Sequence, residues 1–175
     1  KIPVNVVDVA GLVEGAHEGK GMGNQFLSDI SAADALIAVA DASGGTDDEG
    51  NLCAPGTHDA RRDVEILFSE LDYWLADVID RNAKKARGKG VAEFAAALSG
   101  VKIGREDLKN ACLKLELDEE KFAGWDKPEM LSIATELRLK KPALIAANKL
   151  DGEHAGKNID ALKAAFPSVP VLPVA

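Results

Sequence analysis
Two short apolar runs, each closed by a polar residue, constrain this chain more than any other feature. Residues 35–41 read Ala-Leu-Ile-Ala-Val-Ala-Asp, and residues 143–147 read Ala-Leu-Ile-Ala-Ala before an asparagine. Neither run alternates polar with apolar side chains, as a strand with one wet face does. Both predict strands buried on both faces, the pattern of a parallel sheet whose crossovers are helices. Residues 4–9 add a third buried strand, and residues 169–174 a fourth.

Between the strands the period changes. Glycines at 11, 15, 19, 21 and 23 exclude a regular element there, because each costs a helix ~1 kcal/mol relative to alanine. Met22, Phe26 and Ile30 then share one helical face. Residues 43–58 carry Gly44-Gly45, Asp47-Asp48 and Pro55-Gly56 and predict a loop. From Asp59, the residues Val64, Leu67, Phe68, Leu71, Trp74, Leu75, Val78 and Ile79 keep the spacing of one wide apolar face. They predict a helix that runs to the basic cluster near Arg87 and stops at Gly88. Leu108, Ala111, Cys112 and Leu115 form a second stripe. Met130, Ile133, Ala134 and Leu137 form a third, with Pro128 suited to its first turn. Ile159, Leu162 and Phe166 mark a last short helix. The order of elements predicts an α/β fold with a mostly parallel sheet: residues 1–71 and 141–175 make the sheet-bearing domain, and residues 72–140 a helical insertion.

Composition excludes several classes. A net charge of -8, from 21 basic and 29 acidic residues, rules out nucleic-acid binding through bulk charge, so an RNA contact needs a local basic patch. Cys53 and Cys112 lie far apart without a CxxC pair, which argues against a zinc or disulfide framework and fits a reducing, cytoplasmic setting. No apolar run has membrane-spanning length. The chain opens on Lys1-Ile2-Pro3-Val4 and leads straight into the first strand, as a fragment would.

Two motifs follow apolar strands directly, where open α/β sheets bind their ligands. In Asp8-x-x-Gly11, the carboxylate suits a water of Mg²⁺, and the glycine lets its N–H approach a terminal phosphate. Alone, that tetrapeptide is as well explained by a strand and a turn. In Asn148-Lys149-Leu150-Asp151, the Asp151 carboxylate can accept two hydrogen bonds from the guanine edge, for which adenine has no matching donor pair. The Lys149 stem can lie over a base, and Asn148 can tie neighbouring loops together. Sites built on such bonds reject the analogue that lacks them by ~10⁴-fold, because buried polar groups are left unpaired.

Read together, these segments resemble a known family. Residues 8–27, Asp-Val-Ala-Gly-Leu-Val-Glu-Gly-Ala-His-Glu-Gly-Lys-Gly-Met-Gly-Asn-Gln-Phe-Leu, closely resemble the second switch of the Obg-like GTPases of the P-loop (TRAFAC) class. The text from Ala35 to Asp47 is most similar to the archaeal and eukaryotic branch related to YchF, which also carries a helical insertion. The resemblance implies a P-loop NTPase fold, Mg²⁺-dependent hydrolysis of GTP and association with ribosomes. It implies nucleotide contacts at Gly11, Asn148, Lys149 and Asp151, and a water-mediated Mg²⁺ contact at Asp8. Ala175 falls where the last base-contacting loop of the family begins. Leu12 replaces the glutamine that orients the attacking water in Ras-like proteins, which implies slow turnover. The same leucine also suits simple packing beneath the switch. A GxxxxGK[ST] loop and a first switch are absent from these residues. In the family both precede the first strand of this chain, so the incomplete G domain reads as truncated, with weak nucleotide binding of its own. A docking scaffold that does not hydrolyse nucleotide, and an ATPase of the YchF type, are the alternatives.

Weaker signals have plainer accounts. His17 reads as a solvated loop histidine rather than a general base. Asp47-Asp48-Glu49-Gly50-Asn51 has adjacent rather than alternating acids and reads as a solvated acidic turn, not a calcium loop. Arg81, Lys84, Lys85, Arg87 and Lys89 read first as cations that complement a helix C-terminus, and second as a ribosomal RNA contact. Trp74 reads as core; no pattern places Trp125.

Overall fold
The structure, a computed structural model, describes residues 3–8, 14–18, 30 and 33–175. Along them run β1 (Leu36–Asp41), α1 (Ala60–Ala86), α2 (Val91–Ala97), α3 (Arg105–Lys114), α4 (Lys127–Leu139), β2 (Ala143–Asn148), α5 (Ala155–Ala165) and β3 (Val171–Pro173). The strands form a parallel sheet in the order β1-β2-β3. This is the predicted α/β fold class.

Local chemistry sets the helix bounds. Asp59 caps α1 by accepting the Arg61 N–H at 3.0 Å, and Gly88, at φ +79°, lies just past its end. Asp126 and Glu129 cap α4 reciprocally, each carboxylate taking the other's N–H at 2.8 Å, with Pro128 in the first turn. Among the described residues, no helix is long and apolar enough to cross a membrane.

Helix α1 serves two cores. Its first half, with Ala60, Val64, Phe68 and Leu71, packs against Ala38 and Ala40 of β1, Ile145 and Ala147 of β2, and Ile159 and Leu162 of α5. Its second half, with Leu75, Val78, Ile79, Ala83 and Ala86, packs against α2, α3 and α4. Trp74 touches both cores. Trp125 is buried in the second, edge-on to Phe94 at 6.1 Å, and Phe94 in turn stacks on Phe122 at 4.4 Å.

Three expectations need correction or fall away. Residues 3–8 form no strand, and Val4, Val6 and Val7 are 80%, 81% and 70% exposed. A strand needs a neighbour for its backbone groups, and no described segment pairs with these residues. Strand β1 is buried on one face only. Ala38 and Ala40 are covered by α1 and α5, whereas Ile37 and Val39 are exposed. Met22 and Phe26 lie outside the described residues, while Ile30 is buried.

One buried ion pair ties α1 to α4. Asp72 accepts from Arg138 Nε at 2.5 Å, from Arg138 Nη2 at 3.1 Å and from Thr135 Oγ1 at 3.0 Å. The Arg138 guanidinium lies 4.6 Å over the Phe68 ring. Removing only one partner leaves a buried charge uncompensated, so Asp72→Ala is expected to cost ~3–5 kcal/mol. Asp72→Leu combined with Arg138→Met is expected to lose far less. Urea unfolding followed by tryptophan fluorescence compares them, and equal losses would rule out the ion-pair account.

Candidate functional site
The parallel register sets Asp41 beside Asn148, so the loops after β1 and β2 leave the same sheet edge. Lys149 adopts a left-handed φ of +61°, and the chain then closes a tight turn through the Gly152 N–H and the Lys149 carbonyl, 2.9 Å apart. A Cβ at Gly152 would meet Ser43 Cβ at 2.7 Å, so glycine is what lets the two loops approach. The Asn148 side chain accepts the Lys149 N–H at 2.9 Å. The third strand joins them: Val174 N–H donates to the Ala147 carbonyl, and Leu150 N–H to the Val174 carbonyl, both at 2.9 Å. Ala175 therefore follows directly on a residue bonded to the Asn-Lys-Leu-Asp turn.

Electrostatics at this edge centre on Asp41, which the motif reading did not single out. Lys149 Nζ donates to Asp41 Oδ2 at 2.7 Å and lies 3.3 Å from Thr46 Oγ1. Thr46 Oγ1 donates to Oδ2 at 2.5 Å, and Ser43 gives Oδ1 both its hydroxyl, at 2.6 Å, and its N–H, at 2.9 Å. Burial works against the Asp41 charge, but the bonds from Lys149, Ser43 and Thr46 outweigh it and hold the carboxyl well below the usual range. The available signal was a carboxylate closing an apolar strand, the feature that drew attention to Asp8.

The remaining predicted residues divide. Asp151 and Ala175 are exposed at this edge. Asp8 is exposed within residues 3–8, and among the described residues no hydrogen bond ties it to the other loops. Gly11 and Leu12 lie outside the described residues. Arg81, Lys84, Lys85, Arg87 and Lys89 are all exposed around the end of α1; Lys84 pairs with Asp80, and Arg87 reaches the Ala123 carbonyl.

His17 is not the solvated histidine expected. Its ring Nδ1 lies 2.7 Å from Glu70 Oε2, and the ring stacks on Tyr73 with centroids 4.7 Å apart. Glu70, only 3% exposed, also accepts the backbone N–H groups of Gly15 at 2.7 Å and His17 at 2.8 Å. Burial opposes the Glu70 charge, but the His17 and Gly15 donors more than compensate and keep its carboxyl below its ordinary value. The signal was present in the sequence: Glu70 falls on the apolar stripe, three residues after Leu67 and four before Trp74.

The fold is of the open α/β class, and its Asn-Lys-x-Asp turn stands at a strand's carboxyl end, where such sheets take their ligands. Known proteins agree. An uncharacterized GTP-binding protein of Methanocaldococcus jannaschii is 43% identical over 98% of this chain and 44% of its own length. One of Schizosaccharomyces pombe is 34% identical over 90% of this chain and 40% of its own, and human Obg-like ATPase 1 is 42% identical over 49% of this chain and 22% of its own. The crystal structure of a GTP-binding protein from Pyrococcus horikoshii superposes with a TM-score of 0.72 at 34% identity, over 85% of this chain and 45% of that one. No family model matches. The chain belongs with the Obg-like, YchF-type GTP-binding proteins, and it spans less than half the length of these relatives.

Glu70→Ala is expected to leave two backbone donors without their acceptor, a loss of ~1–3 kcal/mol. Amide exchange at Gly15 and His17 should then accelerate ~5–150-fold. Because the folded carboxyl titrates below its ordinary value of 4.5, wild-type protection should be complete above that pH and fall as acid protonates the folded group. Unchanged exchange in the variant would show that Glu70 does not hold this segment.

Proposed function
We propose that this chain supplies the base-recognition and second-switch part of a guanine-nucleotide switch that hydrolyses GTP slowly. The observation that carries the reading is the Asn148–Asp151 turn, closed onto Asp41 and Val174 at one sheet edge. With its amine committed to Asp41 and Thr46, Lys149 offers its aliphatic stem to a base, while Asp151 keeps a free carboxylate face for the two guanine donors. Asn148 and the Gly152 turn fix both in place before any ligand arrives, which lowers the ordering cost of binding.

The described residues fit the base end of such a nucleotide. For Mg²⁺, Asp8 is the one described carboxylate in the expected position, and a single ligand defines no site, so no step is derived through the ion. Gly11 keeps the proposed role of phosphate contact. Leu12, which has no polar group to orient water, keeps that of slowing turnover. The helical insertion, residues 72–140, carries the exposed Arg81, Lys84, Lys85, Arg87 and Lys89, which we assign to a ribosomal or other RNA surface. ATP is the second reading, favoured by the similarity to Obg-like ATPase 1.

In the protein that carries this chain at full length, Asp151→Asn should weaken GTP binding and favour xanthosine triphosphate. An amide donates to the extra xanthine carbonyl, which a carboxylate repels. The preference should swing toward the ~10⁴-fold range of sites built on paired bonds. Titration with GTP, ATP and xanthosine triphosphate measures it; an unchanged ratio refutes base reading by Asp151, and tighter ATP binding favours the second reading. Multiple-turnover phosphate release separates a GTPase from a docking scaffold. Neutralising Lys84 and Lys85 together should weaken ribosome co-sedimentation and flatten its log–log salt slope by ~0.7–0.9 for each RNA phosphate the lysines no longer neutralise. Unchanged sedimentation, with a stability loss of ~0.3–1 kcal/mol per charge, would leave the cluster as helix-end chemistry.

A further inference from the structure
Three side chains unused by the base site converge where the loop after β1 meets the first turns of α1. His58 Nε2 lies 2.7 Å from Asp63 Oδ1 and 3.6 Å from Asp48 Oδ1. One ligand atom from each residue falls within 4.8 Å of the other two. The His58 ring is nearly buried, at 8% exposed, while the Asp48 and Asp63 side chains keep 31% and 23% of their surface. The acidic turn is thus more than the solvated feature expected, because Asp48 is drawn back toward the helix.

We propose that Asp48, His58 and Asp63 form a binding site for one divalent transition-metal ion of the zinc type. One imidazole nitrogen and two carboxylate oxygens suit zinc, cobalt, nickel or manganese, whereas magnesium and calcium favour sites of oxygen alone. Three protein ligands leave at least one position for water, the pattern of an open site. Metal bonds of about 2.1 Å put neighbouring ligands roughly 3.4 Å apart in a tetrahedron. The ring and Asp63 therefore separate by well under an ångström when the ion takes the place of the proton between them.

The surrounding framework favours this occupant. Arg62 grips Asp48, chiefly at Oδ2, with Nη2 at 2.7 Å and Nε at 2.9 Å. Its fork fixes the rotamer that turns Oδ1 toward His58, the orienting role that outer-shell partners play at metal sites. Asp47 accepts the N–H groups of Glu49 and Asn51, which shapes the turn presenting Asp48. The His58 N–H donates to the Gly44 carbonyl at 3.1 Å. At Gly44, where φ is +62°, a Cβ would strike the His58 carbonyl at 2.6 Å, so glycine closes the loop that carries the histidine. Asp63 stands on α1, and its Oδ2 lies 3.4 Å from the Asp41 N–H.

The test is direct titration of this chain, first stripped with a chelator, with Co²⁺. One equivalent should bind and give visible ligand-field absorption, which Zn²⁺ should abolish by displacement and equimolar Mg²⁺ should leave unchanged. His58→Gln and Asp63→Asn should each weaken binding by more than the ~10–100-fold that loss of an outer-shell partner costs, with circular dichroism confirming the fold. Asp48→Asn spares the His58–Asp63 contact and should weaken binding at least tenfold. No absorption at large Co²⁺ excess, equal competition by Mg²⁺, or wild-type affinity in Asp48→Asn or in a folded His58→Gln would each overturn the proposal. The three residues would then be a histidine–carboxylate cluster only.

Discussion
The continuity of α1 is the constraint on which the rest of the structure depends. Its 27 residues hold the sheet core at one end and the helical core at the other, and the described buried charged residues, Glu70 and Asp72, both lie near its middle. A buried carboxylate is tolerated only when donors surround it. Residues two apart on a helix do not face each other, so these two acids point to different neighbours. Glu70 gathers the backbone of Gly15 and His17, and Asp72 gathers Arg138 and Thr135 from α4. One helix thereby holds Gly15 and His17 on one side and α4 on the other through separate polar contacts, each too costly to leave half made.

The strand-end edge depends on a different kind of constraint, the sheet register. Pairing Asp41 with Asn148 brings a carboxylate and a lysine from distant parts of the chain to 2.7 Å. With Lys149 half exposed, the pair adds little stability by itself. Its effect is positional. It fixes where the lysine stem lies and leaves Asp151 facing outward, which is the arrangement a base reader requires. The same loop carries His58 back to α1, so one connection after β1 frames both the proposed base-reading edge and the Asp48-His58-Asp63 cluster.

Much of this was legible in the sequence, and the misses have physical causes. Uninterrupted apolar runs located β1 and β2, and a wide apolar stripe beginning after Asp59 and closed by a following glycine bounded α1. Those are local patterns, and both survive folding because burial enforces them. Residues 4–9, Val-Asn-Val-Val-Asp-Val, carry an interrupted apolar signal, and a strand is a relation between two segments, so such a signal is silent about a partner. Ile37 and Val39 fail for a related reason: composition shows that a strand can be buried on both faces, not that something covers them. Asp41, Glu70 and the His58 cluster were missed because their meaning lies in long-range contacts. Even so, an acid on an apolar helix stripe was a visible clue that a donor had to be supplied from elsewhere. Trp125 had no such clue, since isolated aromatics carry no period.

The two anchors on α1 also bear on how the proposed switch would work. Coupling between distant regions needs an element with two arrangements that both regions bias. Under the proposed function, the docking of Gly15 and His17 on Glu70 would be such an element, because a phosphate that reorganised the glycine-rich segment would compete with these bonds or reinforce them. From Glu70 the helix continues to Ala86 without a proline or glycine, a run of about 24 Å at 1.5 Å per residue. A helix of that kind transmits rotation rather than absorbing it, and it ends at the exposed Arg81–Lys89 cations. The Asp72–Arg138 pair ties α4 to the same helix. If the proposed switch operates, residues 72–140 would sense it through the orientation of that single stiff element, without touching the nucleotide themselves.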